Sequence, residues 1–199
     1  MMFLSRRLLL LAPAAMAGCG DDVENEPPPP RPRARPPRPA PEEQPPLRYS
    51  YLPPINLKVA RLDIDTDFTA PDGEGEVSRS SSVRPEDALK TMARDRLKTS
   101  GGKGIATFQI QTASIARKGT VLSGVLAVRL DLRGGDNDAT GFAEARVTAN
   151  KTGPIADQRA AVYDMTKSMM DDMNVELEFQ IRKELKAWLV EPKQEPARG

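Results

Sequence analysis

Residues 126–149 read LAVRLDLRGGDNDATGFAEARVTA. Leu126, Val128, Leu130 and Leu132 alternate with Arg129 and Asp131, and Ala143, Ala145, Val147 and Ala149 alternate with Glu144 and Arg146. A period of two puts the apolar set on one face of a strand and the polar set on the other. Each arm therefore predicts a strand with one dry and one wet face, as in an antiparallel sheet. Between them, Gly134-Gly135-Asp136-Asn137-Asp138 supplies the turn. The second arm carries small residues where the first carries leucines. That difference predicts a partner packed close against it, with a helix backbone as the natural candidate.

The same reading extends in both directions. Ala106, Phe108 and Ile110, opposed by Gln109 and Gln111, predict a strand before the hairpin. Upstream, Pro85 suits a first helical turn, Glu86 and Asp87 complement the helix dipole, and Ala88, Leu89, Met92, Ala93 and Leu97 recur at helical spacing. Gly101-Gly102 is expected to end that helix. Earlier still, Ile55, Leu57 and Val59 alternate with Asn56 and Lys58, and Leu62 and Ile64 alternate with Arg61, Asp63 and Asp65. The apolar parity changes between Val59 and Leu62, which predicts one strand interrupted by a bulge. Residues 71–82, PDGEGEVSRSSS, read as a polar loop.

Downstream, residues 155–190 predict a long helix. Met169, Met173, Leu177, Ile181, Leu185 and Leu189 recur every fourth residue. Each step drifts by about 40°, so five steps rotate the stripe by about 200°. The helix must either cross the sheet obliquely or bend or break near Asn174. The expected fold is a two-layer α+β domain, residues 48–199, in the order βαβββα. Its four-stranded, mainly antiparallel sheet carries both helices on one face.

Composition narrows the chemistry. The chain has 199 residues, 29 basic and 28 acidic side chains, one cysteine and no histidine. A net charge of +1 gives no electrostatic case for nucleic acid. An intrachain disulfide, a histidine-based triad and the usual zinc sites are excluded. Asp136 to Gly141 partly matches a calcium loop, but Thr140 replaces an acidic ligand and Val147 stands where a bidentate Glu belongs, so a hairpin turn is the better reading. Asp63 with Asp65, and Asp171 with Asp172, fall on expected wet faces and read as solvated. Thr99 to Gly104 lacks phosphate-loop spacing and follows a helix where such a loop precedes one, so it reads as a helix end and a turn. No constellation points to catalysis, a cofactor or a metal. Met165, Met169, Met170 and Met173 read first as core under the long helix. Met170 and Phe179 lie off the main stripe, and with Met173 they are the candidate partner-binding residues on an exposed apolar surface.

The N-terminus reads MMFLSRRLLLLAPAAMAGCG. Arg6 and Arg7 precede a ten-residue apolar stretch, Leu8 to Ala17, too short to span a bilayer and suited to a secretory signal. Met16-Ala17-Gly18-Cys19 resembles a bacterial lipobox. The resemblance implies a diacylglyceryl group on the Cys19 sulfur, cleavage before Cys19 and acylation of the new N-terminus. Export is read as Sec-dependent, with a weaker twin-arginine reading of Ser5-Arg6-Arg7. Gly20, where an aspartate would retain the protein, resembles the sorting pattern for the outer membrane. Residues 27–46 hold 11 prolines in 20 positions with four arginines among them. They read as a disordered, extended, solvated tether of about 60 Å.

From Pro85 to Leu189 the chain resembles a group of uncharacterised lipoproteins of alphaproteobacterial envelopes. The resemblance rests on Ala93-Arg94-Asp95-Arg96-Leu97, Gly104 to Ile110, and Met169 to Asn174 through Ile181-Arg182 to Trp188-Leu189. In anchor and element order it is similar to the ABC-transport auxiliary lipoproteins and to the lipopolysaccharide-assembly lipoprotein. Arg48-Tyr49-Ser50-Tyr51-Leu52-Pro53 resembles the start of the first family's domain. The lipobox-like address, the long tether and the lack of a catalytic constellation, with these resemblances beside them, lead to the expectation of a lipid-anchored, periplasm-facing, non-enzymatic adaptor or accessory subunit of an envelope transport or assembly system, holding an envelope protein or a lipid in the groove between sheet and long helix or on the helix's outer face. The alternatives are a structural spacer against cell wall or membrane, and a lipid-binding carrier domain.

Overall fold

The computed structural model describes residues 44–65, 68–70, 72–134 and 138–190. The expected signal segment, Cys19 and the expected tether up to residue 43 lie outside the described residues, as do Asp136 and Asn137. Among the described residues, six strands and two α-helices follow in the order β1 (Ile55–Leu57), β2 (Arg61–Ile64), α1 (Pro85–Arg96), β3 (Leu97–Thr99), β4 (Ile105–Lys118), β5 (Val121–Arg133), β6 (Thr140–Thr152) and α2 (Gln158–Glu184).

The main sheet has the order β2-β4-β5-β6, and β1 pairs with β3 in a separate two-stranded sheet. β4, β5 and β6 form an antiparallel meander, whereas β2 lies parallel to β4 and β1 parallel to β3. The sheet is therefore mixed, not mainly antiparallel, and the element order is longer than the expected βαβββα. The cause is local. Val59 donates its N–H to the Leu57 carbonyl across Lys58, and Ala60 donates to Gly104. The chain thereby turns out of pairing with β3 and into pairing with β4. The parity change between Val59 and Leu62 marks this change of sheet and is not a bulge. A register shift does occur in β4, between Ile110 and Thr112.

α1 stops at Arg96 without a glycine cap, because Leu97 turns extended and begins β3 directly. Gly101-Gly102 follows β3 and not the helix, a correction to the expected C-cap. α1 otherwise matches its sequence, with Pro85 in the first turn, Glu86 and Asp87 beside it, and Arg94 and Arg96 in the last turn.

Leu122, Leu126, Val128, Leu130 and Leu132 on β5 share one buried layer with Ala113, Ile110, Phe108 and Ala106 on β4. α2 packs mainly on β6 and α1 on β4, and the two helices touch. The small residues of β6 allow that approach. A side chain at Gly141 would meet Leu185 and Trp188, and one at Gly124 of β5 would meet Met165 and Met169. The opposite face of the sheet carries Gln109, Arg129, Asp131, Glu144 and Arg146, none of them buried.

α2 runs unbroken from Gln158 to Glu184, through Asn174, and a short 3-10 turn follows at Lys186–Trp188. Its buried side chains begin at Ala161, Val162 and Met165 and end at Leu177 and Ile181. The dry stripe thus rotates along the helix, as oblique crossing requires. The segment after α2 returns to the small sheet, where Leu189 bridges Leu57 and Val190 donates to Asn56.

The edge of β4 beyond β2 is closed by the loop at residues 73–78. Val77 donates to Ile115, Arg117 donates to Gly75, and Glu76 bridges Ala116. The Glu76 carboxylate accepts from Ser114 Oγ at 2.6 Å and from the Ile115 and Ser78 amides. Burial works against its charge, but these hydrogen bonds outweigh that and hold the carboxyl below its ordinary range.

Candidate interaction surface

Asp157 starts α2 by accepting a hydrogen bond from the Ala160 amide, and Arg182 and Lys183 complement the dipole at its far end. The outer face of this helix presents Val175, 72 % exposed, and Phe179, 57 % exposed, one turn apart. Tyr51, 70 % exposed, comes from the segment before β1. Tyr51 and Val175 border the same depression of about 230 Å³, together with Leu52, Arg96, Asn174 and Glu178.

The floor of this depression is polar and tightly bonded. Arg96 is 3 % exposed. Its guanidinium donates to Asn174 Oδ1 at 3.1 Å, to Glu178, and through Nε to the Pro53 carbonyl at 3.2 Å. Asn174 donates in turn to the Met170 carbonyl at 2.8 Å. Glu178 also accepts from Arg182 at 2.9 Å. Burial raises the Glu178 pKa, but the hydrogen bonds from Arg96 and Arg182 more than reverse it, and the carboxyl sits below its ordinary range. One arginine thus ties α1, α2 and the Tyr51 segment together. The apolar side chains above it stand on a fixed frame.

The Tyr51 segment is held at a second point. Tyr49 donates its amide to Asp95 at 2.8 Å, and Leu52 donates back to the Tyr49 carbonyl. The Tyr49 ring is buried, and its hydroxyl has no hydrogen-bond partner among the described residues. Burial, with the Asp171 charge behind it, pushes this phenol well above its ordinary pKa. Tyr49 thereby sinks into the core and leaves Tyr51 at the tip of the turn.

Of the three expected partner-binding residues, Phe179 is exposed, but Met170 and Met173 are each 0 % exposed. The two methionines belong to the core. Met170 lies one turn before Asn174, the residue that Arg96 of α1 reaches, and the rotating stripe carries it inward. Val175 and Tyr51 take their place beside Phe179. Val175 was legible as the residue four before Phe179, equally off the main stripe; Tyr51 carried no periodic signal.

The other candidates are dispersed. Asp63 pairs with Arg61 at 2.8 Å on the open face of the sheet, and Asp171 and Asp172 are exposed on α2. Among the described residues, no group of three or more Cys, Asp or Glu side chains could hold a metal ion. Ser100 to Lys103 border a groove of about 620 Å³ with Lys58, Ala187 and Trp188. The Lys58 ammonium there reaches the Ala187 carbonyl at 3.4 Å. A depression of about 810 Å³ lies at the start of β6 and beside the end of α2. No described helix is long and apolar enough to cross a membrane. No protein-family model matches the chain, and no curated protein matches it.

Proposed function

We propose that the protein is a lipid-anchored, non-enzymatic adaptor of the bacterial envelope, facing the periplasm, that docks an envelope protein on the outer face of α2. The observation that carries this reading is the apolar set Tyr51, Val175 and Phe179, exposed on a frame fastened from below by Arg96. Exposed apolar side chains scattered singly mean little, but a set held on rigid elements above a partly buried ion pair suits recognition. The address comes from the lipobox-like Met16-Ala17-Gly18-Cys19 and the proline-rich tether. Two or three acyl chains, at about 0.8 kcal/mol per buried methylene, anchor a chain without further help. The tether's reach of about 60 Å then lets the domain search for its partner beyond the headgroups. Gly20 favours the outer membrane as the site of anchoring.

The test is purification of the full-length lipoprotein in mild detergent from its own cells, with proteins and lipids identified by mass spectrometry, beside a Val175→Asp/Phe179→Asp variant. A stoichiometric envelope protein retained by the natural chain and lost by the variant supports the adaptor. Lipid alone makes the domain a carrier, and retention of neither leaves the spacer.

A further inference from the structure

β6 forms one edge of the main sheet and pairs with β5 over all of Thr140–Thr152 without a register shift. Gly153 donates to the Thr120 carbonyl and Gly134 donates to the Ala139 carbonyl, both at 3.1 Å. These bonds fix the phase of the ladder, because hydrogen-bonded pairs alternate along an antiparallel pair. Odd-numbered residues of β6 direct their N–H and C=O groups to β5. Thr140, Phe142, Glu144, Arg146, Thr148, Asn150 and Thr152 direct theirs outward. None of the backbone bonds outside the regular ladders engages these outward groups among the described residues. The contrast with β4 is direct, since the backbone of Gly75 and Val77 closes that edge. β6 has no proline or bulge, two of the devices that blunt an open edge. The depression of about 810 Å³, bordered by Thr140, Phe142 and Glu144 of β6 and Gln180 and Glu184 of α2, leaves room beside it.

We infer that the β6 edge is a self-association surface, and that its occupant is the β6 strand of a second copy of this chain, antiparallel and centred on Ala145. The charges select this occupant and this register. With Ala145 on the two-fold axis, Glu144 of each copy lies opposite the partner's Arg146, and Phe142 lies opposite the partner's Thr148. Centring the pair on residue 144 or 146 sets like charges face to face. Within one chain Glu144 already accepts from Arg129 of β5 at 2.7 Å. Arg146 is exposed and has no ion-pair partner among the described residues. Pairing continues the row as Arg129, Glu144 and the partner's Arg146, with alternating sign. Opposite charges across neighbouring strands stabilise the pair and like charges destabilise it. An isologous two-fold contact needs only that one strand complement itself.

Oxidative cross-linking of the full chain in its own envelope tests both contact and register. In the proposed pair, residues 142 and 148 of opposite copies sit about 5.5 Å apart between Cα atoms, within disulfide reach. Identical positions, 142 to 142 or 148 to 148, sit about 20 Å apart. The Phe142→Cys/Thr148→Cys double variant is expected to give at least tenfold more disulfide dimer than either single variant, the unsubstituted chain with Cys19 serving as background. Equal dimer in singles and double, or none in the double, overturns the inference. In detergent, sedimentation of the full chain is expected to show Arg146→Glu raising the dimer dissociation constant about tenfold or more, with Arg146→Lys close to the natural chain. An unchanged constant in Arg146→Glu, or a natural chain that stays monomeric, also overturns it.

Discussion

The Arg96 guanidinium donates to the Asn174 side-chain oxygen at 3.1 Å, joining α1 to α2 across 78 residues of sequence. The same group reaches Pro53 and Glu178, so one buried cation fixes the geometry of the exposed residues above it. Removing one partner of such a site leaves the others uncompensated, which costs about 3–5 kcal/mol when burial is complete. Glu178 keeps a solvent-facing edge, so Arg96→Ala is expected to lower unfolding free energy by about 3 kcal/mol. Urea denaturation followed by circular dichroism measures this. A loss below about 1 kcal/mol contradicts the role given to Arg96.

Gly75 and Gly124 both lack room for a side chain, but for different reasons. Gly75 has φ +83°, and an added Cβ would lie 2.5 Å from the Arg117 carbonyl oxygen. Neither the backbone angle nor the neighbouring backbone can yield cheaply. Gly75→Ala is expected to destabilise by about 1–3 kcal/mol and to deprotect the Val77 and Arg117 amides in hydrogen exchange. At Gly124 the obstacle is Met169 Sδ and Met165 Cε, the ends of flexible side chains. Gly124→Ala is expected to lower the melting temperature less than Gly75→Ala does.

Acid should loosen the domain in a defined window. The Glu76 and Glu178 carboxyls both sit below their ordinary value of 4.5 in the folded protein. A depressed folded pKa means that the unfolded chain binds the proton more readily. The stability contributed is complete above the ordinary carboxylate range and is lost as pH falls through it and the lower folded values. Melting temperature is therefore expected to fall on acidification below about pH 4.5, and Glu76→Gln and Glu178→Gln should each flatten that fall. An equal slope in the natural chain and both variants contradicts these assignments.

Cys19→Ser tests the anchor. The substitution is expected to abolish incorporation of labelled fatty acid and to move the protein from the membrane fraction to the soluble one. Labelling that survives in the variant would place acylation elsewhere.

Much of the architecture was legible because alternation reports faces. The apolar sets of residues 106–110, 126–132 and 143–149 mark the dry side of β4, β5 and β6, and the small residues of β6 foretell the close helix. Alternation does not report partners. The parity change at Val59 to Leu62 fits a bulge as well as a change of sheet, and hydrogen bonds with Gly104 and Ser100 decide it. β3 was hidden because Leu97 completes the helical spacing of α1 while already lying in a strand. Met170 is buried although it lies off the fourfold stripe, because tertiary packing widens the dry face of α2 there to include Met169, Met170, Met173 and Asn174, and such packing has no local signature. Glu76 looked like part of a polar loop, and only the fold brings Ser114 to it.

The most direct test of the adaptor reading is photocross-linking in living cells, with a photoreactive phenylalanine analogue placed in turn at Tyr51, Val175, Phe179 and, as a control on the open face of the sheet, Gln109. A discrete adduct with one envelope protein from Tyr51, Val175 and Phe179 and none from Gln109 is the expected result. No adduct from any of the three, or the same adduct from Gln109, contradicts docking on the outer face of α2.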